Sequence, residues 1–135
     1  MVSLLLAVVF ASVTTSESAK DHDYKTAYKD AAANNRPLMV VVGAEWCPAC
    51  HILKDTTIKP MVRTGELDQV NVAVVDRDAE PELAEQLTKG VKMLPQIIVF
   101  TKNESGKWER QKLMGYQPKQ PVRRLVARAV SKTRG

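Results

Sequence analysis

With 135 residues, 44% of them hydrophobic and 26% charged, the chain is sized for one domain with a single core and has the make-up of an ordinary globular protein. Its two cysteines are too few for the disulfide framework of a secreted mini-protein, so the pair is either chemistry or one local staple. The net charge of +5 is concentrated at one end, where residues 119–135 carry Lys119, Arg123, Arg124, Arg128, Lys132 and Arg134 and no acid.

Residues 4–13 (LLLAVVFASV) are apolar, and residues 14–19 are small and mostly polar. Such a run is too short to span a bilayer but matches the core of a signal peptide, with a small-residue cleavage site near residues 16–19. No Lys or Arg precedes it, so only the α-amino group is positive there, and a buried segment of the domain is the alternative. The expected division is a signal peptide at 1–19 and a folded domain at 20–135. The expected location is outside the cytoplasm, periplasmic or secreted.

Tyr24, Ala27, Tyr28 and Ala31 recur at helical spacing before Asn34-Asn35 and Arg36-Pro37. Leu38-Met39-Val40-Val41-Val42 is a continuous apolar run, typical of a strand covered on both faces. Residues 48–63 read as a helix with Ile52, Leu53, Ile58 and Met61 on its inner side, and Pro60 should kink or end it. Residues 70–75 (VNVAVV) read as a second buried strand. Residues 80–89 form a short helix, opened by Pro81 and stopped by Gly90. Residues 95–101 and 108–114 read as strands around a turn at 102–106. The final helix spans about 118–130, with Val122, Leu125, Val126, Ala129 and Val130 as its apolar stripe and Arg124, Arg128 and Lys132 opposite. Strands alternating with helices imply parallel pairing, and the terminal hairpin adds an antiparallel edge.

Trp46-Cys47-Pro48-Ala49-Cys50 holds both cysteines and lies between the first strand and the second helix. A strand that delivers Cys-x-x-Cys to a helix start marks a dithiol/disulfide redox site. Unpaired N–H groups and the positive end of the helix dipole favour the thiolate, the species that attacks a disulfide. Pro48 suits the first helical position, where a missing N–H costs nothing.

Three elements together resemble the thioredoxin-fold family over about residues 23–130: Ala44-Glu45-Trp46-Cys47-Pro48-Ala49-Cys50 after a buried strand, Gly90-Val91-Lys92-Met93-Leu94-Pro95 before Gln96-Ile97-Ile98-Val99-Phe100, and Gly115-Tyr116 before the last helix. The resemblance implies an α/β thioredoxin-like fold, a mixed central sheet flanked by helices, with a cis proline at Pro95 beside the cysteines. The leading helix, and the lack of an obvious first strand before it, further resemble exported thioredoxin-like proteins and the dithiol domains of membrane disulfide reductases. The family's buried Asp five residues before the tryptophan, and the Lys on the adjacent strand, correspond to Val41 and Val72. Their absence puts a fast general reductase role in doubt.

By this resemblance Cys47 is the exposed nucleophile and Cys50 the resolving thiol. Trp46 covers the site and contacts the partner, with core filling as its alternative role. Leu94 offers backbone groups to an extended substrate segment beside Pro95, and Gly115 either lines the same groove or serves as a plain turn glycine. His51 either favours the Cys47 thiolate as a cation or is a solvated helix residue. Cys47-Pro48-Ala49-Cys50-His51 also spells the c-type haem attachment sequence, with Met61, Met93 or Met114 as a second axial ligand, but the surrounding α/β pattern argues against it. Two cysteines with His51 or His22 make a poor zinc set. The expected function is thiol–disulfide exchange through Cys47 and Cys50. The rivals are a binding module of the same fold with little turnover and, behind it, a haem electron carrier. No cofactor or metal is expected. The expected partners are protein disulfides or dithiols and an unidentified redox partner. The basic last helix reads as a solvent face without interleaved aromatics, so no nucleic acid is expected, nor membrane contact except through the leader. The expected state is a monomer.

Overall fold

The computed structural model describes residues 23–134, so the expected signal peptide at 1–19 lies outside the described residues. Asp23 caps the first helix, α1 (Tyr24–Asn34), by accepting the Thr26 N–H at 2.7 Å, and Asn35 closes it in the left-handed conformation. The chain then turns through Arg36-Pro37 into β1 (Leu38–Gly43). From Pro48 to Arg63 it runs as one helical rod of three parts: α2 (Pro48–Leu53), a π-helical stretch (Lys54–Ile58) and α3 (Lys59–Arg63). Next come β2 (Asn71–Asp76), α4 (Pro81–Thr88), the hairpin β3 (Gln96–Lys102) and β4 (Trp108–Met114), and α5 (Lys119–Arg134). Among the described residues no helix is long and apolar enough to cross a membrane.

The four strands lie in the order β2-β1-β3-β4. β1 pairs parallel with β2, in register Leu38 with Asn71, as a strand–helix–strand crossover requires. β3 pairs antiparallel with both β1 and β4, so only one neighbouring pair of the sheet is parallel. The antiparallel part is therefore wider than the terminal hairpin expected from the sequence. α4 and the connection after it bring β3 back beside β1 in the opposite direction.

Alternation along β1 divides the interior in two rather than giving the single core expected. Met39 and Val41 face a core completed by Leu53, Ile58 and Met61 of the rod, Ile97 and Val99 of β3, and Val122 and Leu125 of α5. Leu38, Val40 and Val42 face the other, with Ala27 and Ala31 of α1, Ala73 and Val75 of β2, and Leu87 of α4. The small Ala27 and Ala31 let α1 lie close to the sheet. Tyr28 turns outward, its ring against Tyr24 and Trp108.

Several local expectations change. β2 is not buried on both faces: it is an edge strand in which only Ala73 and Val75 are fully covered. Lys89, at φ 52°, takes the left-handed cap of α4, and Gly90, at φ 76°, follows it rather than supplying the stop. Pro60 does not end its helix. The ladder widens just before it, with the Lys59 N–H reaching the Lys54 carbonyl five residues back, and α3 continues to Arg63. The wider turn puts Thr57 and Ile58 inward together, while Ile52, expected inside, is 51% exposed. α5 runs past the expected 130 to Arg134, and Arg124, Arg128 and Lys132 are exposed along it as expected.

The inner face of the rod can be tested by truncation. Met61→Ala removes a fully buried side chain and should cost about 2–5 kcal/mol. Ile52→Ala should change stability by no more than about 0.5 kcal/mol. Urea melts of both variants would show equal losses if Ile52 were a core residue.

Candidate functional site

β1 ends at Gly43, and a short bend returns the Cys47 N–H to the Ala44 carbonyl at 3.1 Å. Cys47 is the N-cap of α2 in extended conformation. Its carbonyl accepts the Cys50 and His51 N–H groups at 3.2 and 3.3 Å, and its Sγ also accepts the Cys50 N–H at 3.2 Å. Pro48 occupies the first turn, where no donor is lost. The two sulfurs are joined as a disulfide, with Cα atoms 5.3 Å apart. Cys50 is half-buried, and Cys47 is only 5% exposed rather than open at the helix start as expected. Its sulfur is taken up by the bond to Cys50 and folded against the first turn of the helix.

Gly43 is the close-approach residue that sequence reasoning missed. A Cβ built there would lie 3.2 Å from both Cβ and Sγ of Cys50, so the disulfide packs against bare backbone. Val41, two residues earlier on the same side of the strand, is buried in the core beneath it. Val72, beside Met39 on β2, packs against that core as well. The positions where the resemblance implies an Asp and a Lys are thus both apolar and both on the face below the disulfide.

The other wall is the loop before β3. The Leu94–Pro95 peptide is cis. Val42 pairs with Gln96, so one further step of the antiparallel register brings Pro95 alongside Gly43 and the cysteines. On its far side the Pro95 carbonyl accepts the Gly115 N–H at 2.8 Å, and Gly115 holds φ 75°, a conformation that favours glycine. The Leu94 side chain packs inward. Among the described residues no hydrogen bond uses the Leu94 N–H or carbonyl, which leaves both for an incoming strand.

Trp46 is 61% exposed, which rules out core filling. Its indole N–H donates to Asp78 Oδ2 at 2.7 Å, and the Arg77 guanidinium lies 5.2 Å from its ring centroid. Asp78 and Arg77 follow β2, where Asp76 Oδ1 accepts the N–H groups of Asp78 and Ala79 and so shapes the turn. The legible signal was Asp76-Arg77-Asp78 directly after a strand. With Ile52, Met93 and Tyr116, Trp46 belongs to the few large apolar side chains exposed among the described residues. Tyr116 reaches the rod, its hydroxyl 3.4 Å from Thr56 Oγ1 one turn beyond Ile52.

One ring nitrogen of His51, Nε2, lies 2.6 Å from the Glu45 carbonyl, so the imidazole braces the bend before Trp46. The haem reading gains nothing from this arrangement. The two sulfurs are bonded to one another, and Met61 is sealed in the core. Among the described residues no group of three or more His, Cys, Asp or Glu could hold a metal ion.

Comparison with known proteins agrees with this geometry. The family model for a thioredoxin-like domain matches residues 24–129. A thioredoxin from Thermus thermophilus superposes with TM-score 0.71 at 24% identity, over 86% of this chain and 90% of that one. Chloroplastic thioredoxin z gives TM-score 0.62 at 21% identity over 82% and 92% of the two chains. Mitochondrial thioredoxin 3 from Saccharomyces cerevisiae gives 0.59 at 18% identity over 77% and 89%. No curated protein matches the sequence. A mixed sheet flanked by helices, a Cys-x-x-Cys disulfide capping a helix and a family match across nearly all of the described residues establish that the chain belongs to the thioredoxin-like family, with the fold and disulfide of a thiol–disulfide oxidoreductase.

Proposed function

We propose that this protein exchanges its Cys47–Cys50 disulfide or dithiol with protein substrates outside the cytoplasm. The observation that carries the reading is the disulfide at the N-cap of α2, facing a cis-proline loop whose Leu94 backbone groups are free among the described residues. In the reducing direction the Cys47 thiolate attacks one sulfur of a substrate disulfide. A mixed disulfide forms, and the leaving sulfur takes up a proton. Cys50, as thiolate, then attacks Cys47 Sγ, re-forms the internal disulfide and releases the second substrate thiol. Oxidation runs the same steps in reverse. The Cys50 N–H, pointed at Cys47 Sγ, favours negative charge there and so favours Cys47 as both nucleophile and leaving group.

The export reading is supported by the apolar leader at 4–13 and its small-residue flank. In that setting thiol–disulfide exchange is working chemistry. A second reading, a binding module of the same fold with little turnover, is favoured by two observations. Cys47 is almost covered, and the face beneath the disulfide carries Val41 and Val72 instead of a proton acceptor.

Trapping separates the two readings. Cys50→Ser should accumulate mixed disulfides with protein substrates, and Cys47→Ser should not. In the reduced protein Cys47 should alkylate faster than Cys50 near neutral pH. Equal alkylation without trapped adducts would remove the nucleophile assignment and favour the binding module.

The apolar floor yields a further test. A carboxyl at position 41 would have a raised pKa and could accept the Cys50 proton as that thiol attacks. Val41→Asp should therefore speed resolution of the mixed disulfide while lowering the melting temperature, because a buried carboxyl lacks a ready partner. Stopped-flow reduction of a model disulfide and thermal melts check both halves. Unchanged or slower resolution in a folded variant would mean proton removal does not limit the reaction.

The leader is tested by expressing the full chain and weighing the exported product. Its first residue should fall between positions 16 and 20. A cytoplasmic product that keeps residues 1–13 would overturn the export reading.

A further inference from the structure

Gln96 is a polar residue opening a strand that continues Ile97-Ile98-Val99, and its side chain is fully buried. Its Nε2 donates to two main-chain carbonyls of the preceding loop, Val91 at 3.0 Å and Met93 at 2.9 Å. The carbonyl between them, that of Lys92, accepts from Arg77 Nη1 at 3.0 Å. Three consecutive carbonyls of a segment without regular structure are thus held by two side chains, Gln96 and Arg77. The same Arg77 guanidinium lies over Trp46, so the loop and the tryptophan share one anchor.

This bonding carries a penalty of its own. Gln96 Oε1 is buried with no hydrogen-bond partner among the described residues, an expense that an apolar side chain in the same place would avoid. Residues 91–93 belong to an exposed loop, and their two bonds to Gln96 lie at its partly buried inner side. What the donors supply is a fixed path for the backbone leading into Leu94 and cis Pro95, and that path sets where Leu94 meets a docking strand.

We propose that Gln96 and Arg77 are positioning residues that clamp residues 91–93, so that the Leu94 backbone and Trp46 are presented to a protein substrate as one preformed edge. The proposal rests on the functional reading above, in which a substrate segment pairs with Leu94. Preforming the edge removes an ordering cost that binding would otherwise meet, so its loss should appear in KM rather than in the chemical step.

The test uses Gln96→Met, close in volume without the donors, and Arg77→Met, which keeps an apolar stem on a half-buried site. Turnover of a protein disulfide would be measured beside reduction of the Cys47–Cys50 disulfide by dithiothreitol, which needs no strand pairing. Each variant should raise KM about threefold to tenfold, the change equivalent to one or two hydrogen bonds, with kcat and the dithiothreitol rate nearly unchanged. NMR order parameters of residues 92–94 should fall in both variants. Unchanged KM in folded variants, or a dithiothreitol rate that falls in step with turnover, would overturn the clamp. Should the wild-type protein cycle with dithiothreitol yet turn over no protein disulfide, the functional reading fails. The order parameters then decide the clamp alone: a fall in Gln96→Met and Arg77→Met supports it, and rigid residues 92–94 overturn it. If Gln96→Met does not fold, the Arg77→Met measurements decide by the same criteria.

Discussion

The two-sided burial of β1 is the constraint from which the rest of the molecule takes its position. Its five residues 38–42 are all buried, so each side chain must find a core, and alternation sends them to two different ones. A shift of one residue in pairing would exchange both sets at once, so the register with β2 and β3 is firmly held. That register decides where the strand runs out. It runs out at Gly43, where the disulfide lies directly on the backbone with the cis-proline loop alongside. Hydrophobic packing on both faces of β1 thus helps to place the two sulfurs, beside the bond between them.

The same arrangement gives the site an uneven character. Its helix side offers a backbone donor to Cys47, which steadies negative charge. Its floor, where Val41 shares a core with Leu53 and Ile97, is hydrocarbon and holds no proton acceptor among the described residues. Thiolate stabilisation and proton management are therefore separable here. The first depends only on the helix start, and the second depends on strand positions that this chain has filled with hydrocarbon.

What the sequence disclosed follows the range of the forces involved. Helix starts at Tyr24, Pro48 and Pro81, the apolar strand at 38–42 and the cysteine turn are local features, and all were readable. The fold followed from three motifs in order. Legibility failed where neighbours decide the outcome. VNVAVV reads as buried, yet sheet order makes it an edge. Ile52 fits an inner face only while the helix keeps a uniform pitch. The bonds from Gln96 and Arg77 join loops separated in sequence, and a lone glutamine before three apolar residues was the only hint of them.

The π-helical stretch has a mechanical meaning. Each residue of an α-helix advances the direction of its side chains by about 100°. By carrying one residue too many between Lys54 and Ile58, the rod sets its cysteine end and its Met61 end out of phase by roughly that angle. Deleting a single residue from this stretch would let a regular helix form. It would also swing the sulfurs away from Gly43 unless Met61 left the core. The stretch thus acts as a spacer in rotation, and the aim of the disulfide depends on its length.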